Sequence, residues 1–168
     1  MKNTKAQKAA FFGVAVALAF TLSYLESLIP FNFGIPGIKL GLANLVVVVM
    51  LYFGGIKAAF PIAVIRILLA GITFGNANSL LYSLAGGILS LLVMWAAKNT
   101  KLSVMGVSIL GGVSHNIGQT LVAALMMNTK SIFYYLPALL VSGLVTGLLI
   151  GIVSKAVLSR LKKIKLKE

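Results

Sequence analysis

The chain has no cysteine and no aspartate, only two acidic residues and a single histidine. Without cysteine there is no disulfide, no thiolate nucleophile and no cysteine-held iron–sulfur cluster. Glu26 and Glu168 are the only carboxylates and His115 the only imidazole, so this chain alone builds neither a three-ligand zinc site nor a paired-carboxylate acid/base site. A glycine-rich phosphate loop ending in Lys-Ser/Thr is also missing, which excludes unaided ATP hydrolysis by this signature. The expectation is a non-enzyme with no catalytic residues, no metal and no cofactor.

Charge of any kind is scarce. Charged residues make up 10% of the 168-residue chain and apolar residues 60%, and the mean hydropathy is +1.05. That is too little polar surface to cover a soluble globule. A spanning helix takes about 20 apolar residues, so six such units nearly exhaust the chain, which reads as one membrane domain over residues 1–168. The net charge of +13 sits at the ends of apolar runs rather than on one basic face with interleaved aromatics. It therefore marks topology and lipid headgroup contact, and no nucleic-acid partner is expected.

The fold class expected is all-α, a polytopic bundle of about six transmembrane helices at 9–29, 40–53, 58–70, 79–97, 102–127 and 132–159, with a basic tail at 160–168. The first run follows Lys2, Lys5 and Lys8 but is too long for a signal-peptide core, and Pro30 ends it. The second and third runs, at about 14 residues or roughly 20 Å each, fall short of a hydrocarbon core of about 30 Å. They read as two short spanning helices around the turn at Gly54-Gly55-Ile56-Lys57.

An even number of crossings puts both termini and the loops at Lys57 and at Lys98/Lys101 on one side. That side holds twelve of the fifteen basic residues. The positive-inside rule then places it in the cytoplasm of a bacterial-type plasma membrane. The stretch 26–44, which crowds an acid, two prolines, three glycines, a lysine and two asparagines between apolar runs, faces outward. Its loop, 31–39, is expected to act as a lid.

Several polar side chains fall at membrane depth, where ionisable groups cost about 3 kcal/mol or more and need a partner or a wet cavity. Tyr24 and Glu26 close helix 1, Lys39 and Asn44 open helix 2, and Arg66 lies near the outer end of helix 3. Asn78 and Tyr82 open helix 4, while His115, Asn116 and Gln119 share a stretch of helix 5. These are the candidate substrate-binding residues: Lys39, Arg66 and His115 to meet an anion, Tyr24 and Tyr82 to cover a ring. Competing readings stand beside them. Glu26 equally suits an ion pair with Arg66 or Lys39, Asn76 and Asn78 suit helix caps, and Trp95 suits an interfacial anchor.

Small residues repeat at four-residue spacing, which lets membrane helices approach closely. Gly143, Gly147 and Gly151 read as internal packing. The rows on helix 1, Ala6 with Ala10, Gly13 with Ala17 and Ala15 with Ala19, suit either packing or docking of a second membrane subunit.

Three segments, Pro36-Gly37-Ile38-Lys39-Leu40-Gly41-Leu42-Ala43-Asn44, Asn78-Ser79-Leu80-Leu81-Tyr82-Ser83-Leu84-Ala85-Gly86-Gly87 and Ser114-His115-Asn116-Ile117-Gly118-Gln119, resemble the Gx transporters, the heptaprenyl diphosphate synthase component I-like proteins. That group is similar to the substrate-binding S components of energy-coupling factor vitamin importers. The resemblance implies a ligand site under the loop between helices 1 and 2, uptake of a small vitamin-like, anionic or aromatic molecule, and partner-docking through Ala6, Ala10, Gly13 and Ala17. It implies a transmembrane coupling subunit and ATPases as partners beside membrane lipid. The enzyme name fits less well, because prenyl transfer relies on aspartate-rich magnesium sites. The alternative is a non-catalytic accessory membrane protein of isoprenoid or quinone metabolism, or of quinone-linked electron transfer.

Overall fold

The computed structural model describes residues 4–29 and 39–165. Its elements are α1 (Lys5–Ser27), α2 (Leu42–Gly54), α3 (Ile56–Thr73), α4 (Ala77–Lys98), α5 (Val104–Met126), a 3₁₀ turn (Ser131–Tyr135) and α6 (Leu136–Lys165), with no strand among the described residues. The fold is an all-α bundle of six helices. The loop expected as a lid, 31–39, lies outside the described residues except for Lys39, and so does Pro30.

Local chemistry sets the helix ends. α1 begins four residues before its apolar run because Thr4 and Gln7 form a capping box, with Thr4 Oγ1 accepting from the Gln7 N–H at 3.2 Å and Gln7 Oε1 from the Thr4 N–H at 2.9 Å. α4 opens in the same way: Asn76 Oδ1 accepts from the Ser79 N–H and Ser79 Oγ from the Asn76 N–H. Asn76 is thus the cap, and Asn78 is not. Gly55, at φ 75° and ψ −173°, alone separates α2 from α3. That backbone is open to glycine and strained for other residues. α6 runs on to Lys165, so the basic segment expected to be a tail continues the helix; no glycine or proline follows Gly151 to stop it.

Four segments are long and apolar enough to cross a membrane: Lys5–Ser27, Ile56–Thr73, Ala77–Lys98 and Ser131–Lys163. α5, at 23 residues, has the length but carries more polar groups. α3 extends to 18 residues, well beyond the run read from hydropathy. The molecule is a multi-pass membrane protein. Large apolar side chains such as Val14, Ile72, Leu125 and Val141 stay exposed on its flanks, where lipid rather than water covers them.

α2 differs from the rest. Its 13 residues give about 20 Å of helix, and its valine run is inward: Val46, Val47, Val48, Met50 and Leu51 are buried. Around them pack Ala15 and Ala19 of α1, Ala59, Ile62 and Ala63 of α3, Leu91 and Met94 of α4, Val107 of α5 and Ile150 of α6. α2 is therefore the axis of the core. Side chains from other helices supply partners at both of its ends. Glu26 Oε1 and Oε2 accept from the N–H groups of Gly41 and Leu42 at 2.6 and 3.2 Å. At the far end the Lys98 ammonium donates to the Leu51 carbonyl at 2.7 Å and lies 5.3 Å from the centroid of the Tyr52 ring. An anion at the N-terminus and a cation at the C-terminus both oppose the helix macrodipole.

Glycine rows draw α4, α5 and α6 together. A Cβ on Gly147 would lie 2.7 Å from the Ile109 Cα, and one on Gly151 2.7 Å from the Met105 Cα. The α6 row is thus internal packing against α5. On α1, Ala15 and Ala19 are buried, whereas Ala6, Ala10, Gly13 and Ala17 are exposed, and a Cβ on Gly13 would meet nothing within 4 Å.

Candidate ligand-binding site

At the end of the bundle where α1 finishes and α2 begins lies a cavity of about 380 Å³, within the usual range for small-molecule sites. α1 contributes Ser23, Glu26 and Ser27, spaced i, i+3, i+4 and so on one helical face. α3 adds Arg66, Ile67 and Ala70, and α4 adds Ser79, Leu80 and Ser83, with Lys39 reaching in from the start of the α2 segment. Phe74 closes one side, with the rings of Phe20 and Tyr24 tilted against it at 5.8 and 5.7 Å.

A smaller annex of about 60 Å³ shares Glu26, Lys39, Arg66 and Ser83 with this chamber and reaches Asn44, His115, Asn116 and Thr146. Its polar groups are tethered from several helices. The Arg66 Nη2 donates to Asn44 Oδ1 at 2.7 Å, which turns the guanidinium toward α2. His115 reaches α4 because Gly86 has no side chain: a Cβ there would stand 2.7 Å from the His115 carbonyl oxygen and 3.0 Å from the ring Cε1. Lys39 Nζ lies 3.5 Å from Ser83 Oγ. Among the described residues four buried side-chain atoms have no hydrogen-bond partner, Tyr52 Oη and Ser154 Oγ elsewhere and the Arg66 Nε and His115 Nδ1 here. A buried polar atom left unpaired costs about 1–3 kcal/mol, and two of them on residues lining one annex mark a place fitted to receive something polar.

The electrostatics follow from what Glu26 does. Its two oxygens are engaged by main-chain N–H groups, and no ion pair with Arg66 or Lys39 forms among the described residues. The expected ion-pair role is therefore replaced by a capping role, because the unpaired N-terminus of α2 is nearer than either cation. The carboxylate still acts through space. Lys39 keeps an exposed side chain, but protein crowds its ammonium, and this desolvation lowers its pKa from the ordinary 10.5; Glu26 pulls the value up and Arg66 pushes it down. Among the described residues no three His, Cys, Asp or Glu side chains lie close enough to hold a metal.

The ten candidate side chains divide. Glu26, Lys39 and Arg66 line both chamber and annex, and Asn44, His115 and Asn116 line the annex. Tyr24 contacts the chamber's edge only through Phe74. Asn78 is exposed and Tyr82 half-buried, and neither lines chamber or annex. Asn116 and Gln119 work partly as structure: the Asn116 Nδ2 donates to the Leu139 carbonyl of α6, and Gln119 Nε2 donates to Asn116 Oδ1 at 3.2 Å. Sequence reasoning missed Ser23, Ser27, Ser79, Ser83, Phe74 and Thr146. A period-3.6 reading of α1 around Glu26 finds the first two.

Residues 15–157 match the family described as Heptaprenyl diphosphate synthase component I. No curated protein and no solved structure matches.

Proposed function

The chain belongs to the heptaprenyl diphosphate synthase component I family, and from that premise we propose that it is a membrane-embedded substrate-binding subunit that takes up a small anionic or aromatic molecule. Partner ATPases energise the uptake. The observation that carries this reading is the chamber with its annex: a ligand-sized space, two cations at its junction, and two buried polar atoms without partners beside it. Phe74, backed by Phe20 and Tyr24, offers a face for a ring. With both termini in the cytoplasm, as the basic residues at the Lys98 end and in α6 favour, the chamber opens outward to receive substrate. The exposed row Ala6, Ala10, Gly13 and Ala17 on α1 then provides a lipid-facing strip for a coupling subunit. Catalysis has no part in this reading.

Equilibrium binding of candidate ligands to the purified protein tests it. Arg66→Ala and His115→Ala each weaken binding by at least about tenfold, equivalent to 1.4 kcal/mol; unchanged affinity for every ligand sinks the site. Gly13→Leu leaves ligand affinity intact and abolishes recovery of a coupling subunit. The family's own description favours a second reading, a non-catalytic accessory subunit of a polyprenyl diphosphate synthase. Co-purification separates the two: ATPase and coupling subunits support uptake, whereas a soluble prenyl synthase supports the accessory role.

A further inference from the structure

The junction of chamber and annex carries an unequal charge. Lys39 and Arg66 each contribute one positive charge and Glu26 one negative, so the charged side chains leave a surplus of a single positive charge. Glu26 is fixed by its bonds to Gly41 and Leu42, so it cannot swing away to expose more. The annex volume of about 60 Å³ corresponds to roughly four to six water-sized spheres at about 10–15 Å³ each. That admits one compact oxyanion group and excludes two linked phosphoryl groups. The adjoining chamber is larger and mixed in character, with Ile67, Ala70, Phe74 and Leu80 among its lining residues.

Resting on the reading of this cavity as a ligand site, we propose that it selects a monocarboxylate: a single monovalent head seated in the annex against Arg66, His115 and Lys39, carried on an apolar or aromatic body in the chamber. A planar carboxylate matches the guanidinium geometrically, and one negative charge cancels the surplus. A dianionic phosphate monoester leaves a net negative charge beside the half-buried Arg66 and His115, where uncompensated charge is penalised. A neutral ester leaves the cations unanswered.

The test uses the full-length protein in detergent, with three probes of one body: 3-phenylpropionate, its methyl ester, and 2-phenylethyl phosphate, each titrated calorimetrically at pH 7.5 and fixed ionic strength. The expected result is the carboxylate ahead of both others by about tenfold or more. Lys39→Met removes the surplus charge, so the carboxylate loses its advantage over the ester. Glu26→Gln raises the surplus to two and brings the phosphate level with the carboxylate. The phosphate binding tightest to the unmodified protein overturns the monocarboxylate assignment and leaves the ligand site standing. A carboxylate-to-ester ratio untouched by Lys39→Met also overturns the assignment. Silence from all three probes overturns both the assignment and the site.

Discussion

Replacing Glu26 by alanine removes both acceptors from the N-terminus of α2. The Gly41 and Leu42 N–H groups then lose partners at 2.6 and 3.2 Å, half-buried and without an alternative carboxylate, since the only other one is the terminal Glu168. A hydrogen bond to a charged group contributes about 1.5–3 kcal/mol net. Partial exposure places each of these near the low end, and the anion's interaction with the helix macrodipole adds about 0.3–1 kcal/mol. The expected loss is about 3–4 kcal/mol. Glu26→Gln keeps one acceptor and loses the charge, so it costs about half as much. Reversible denaturant unfolding in mixed micelles gives the free energies, and amide hydrogen exchange gives the location. The amides of Gly41 and Leu42 exchange faster in the alanine variant, while those at the centre of α5 keep their protection. An alanine variant within about 0.5 kcal/mol of the parent, the ordinary range for surface substitutions, refutes the capping role.

At the other end of α2, Lys98→Met withdraws the donor from the Leu51 carbonyl and costs about 1–3 kcal/mol, read in the same unfolding assay. Gly86→Ala forces a methyl to within 2.7 Å of the His115 carbonyl oxygen, parts α4 from α5 and costs about 1–3 kcal/mol. Gly106→Ala on α5, where the nearest side-chain atom is at 3.5 Å, stabilises by about 0.5–1 kcal/mol instead. Because the folded pKa of Lys39 lies below the ordinary 10.5, folding binds fewer protons there than the unfolded chain does. Stability therefore rises as pH climbs through the folded value toward 10.5. Anion affinity falls over the same window, and Lys39→Met abolishes both trends.

The helical, membrane-embedded character was legible because hydropathy reports burial in any apolar medium, lipid or protein. For the same reason hydropathy said nothing of which medium surrounds a given helix. The valine run of α2 and the flanks of α1 look alike in sequence, yet one is the core and the other meets lipid. In the site, Glu26, Lys39 and Arg66 could be picked out because charge at membrane depth demands an explanation. Which face of α4 meets the cavity could not. Asn78 and Tyr82 lie four residues apart on one stripe, Ser79 and Ser83 on the next, and only packing against α3 selects the second. The partner of Glu26 was equally hidden, since an unpaired helix terminus appears in no composition or charge pattern. The Thr4-x-x-Gln7 and Asn76-x-x-Ser79 caps, by contrast, are local and readable.

The clamped ends of α2 bear on how the chain is assembled. Glu26 precedes α2 and is available as soon as the helix forms, but Lys98 lies 47 residues beyond the carbonyl it satisfies. Until α4 has been synthesised and set beside it, the Leu51 carbonyl of the short central helix is without its ammonium donor. Translation therefore delivers the axis of the bundle before its last fastener. The capping of α2 is completed in retrospect, by the arrival of a later helix, rather than in the order in which the ribosome releases them.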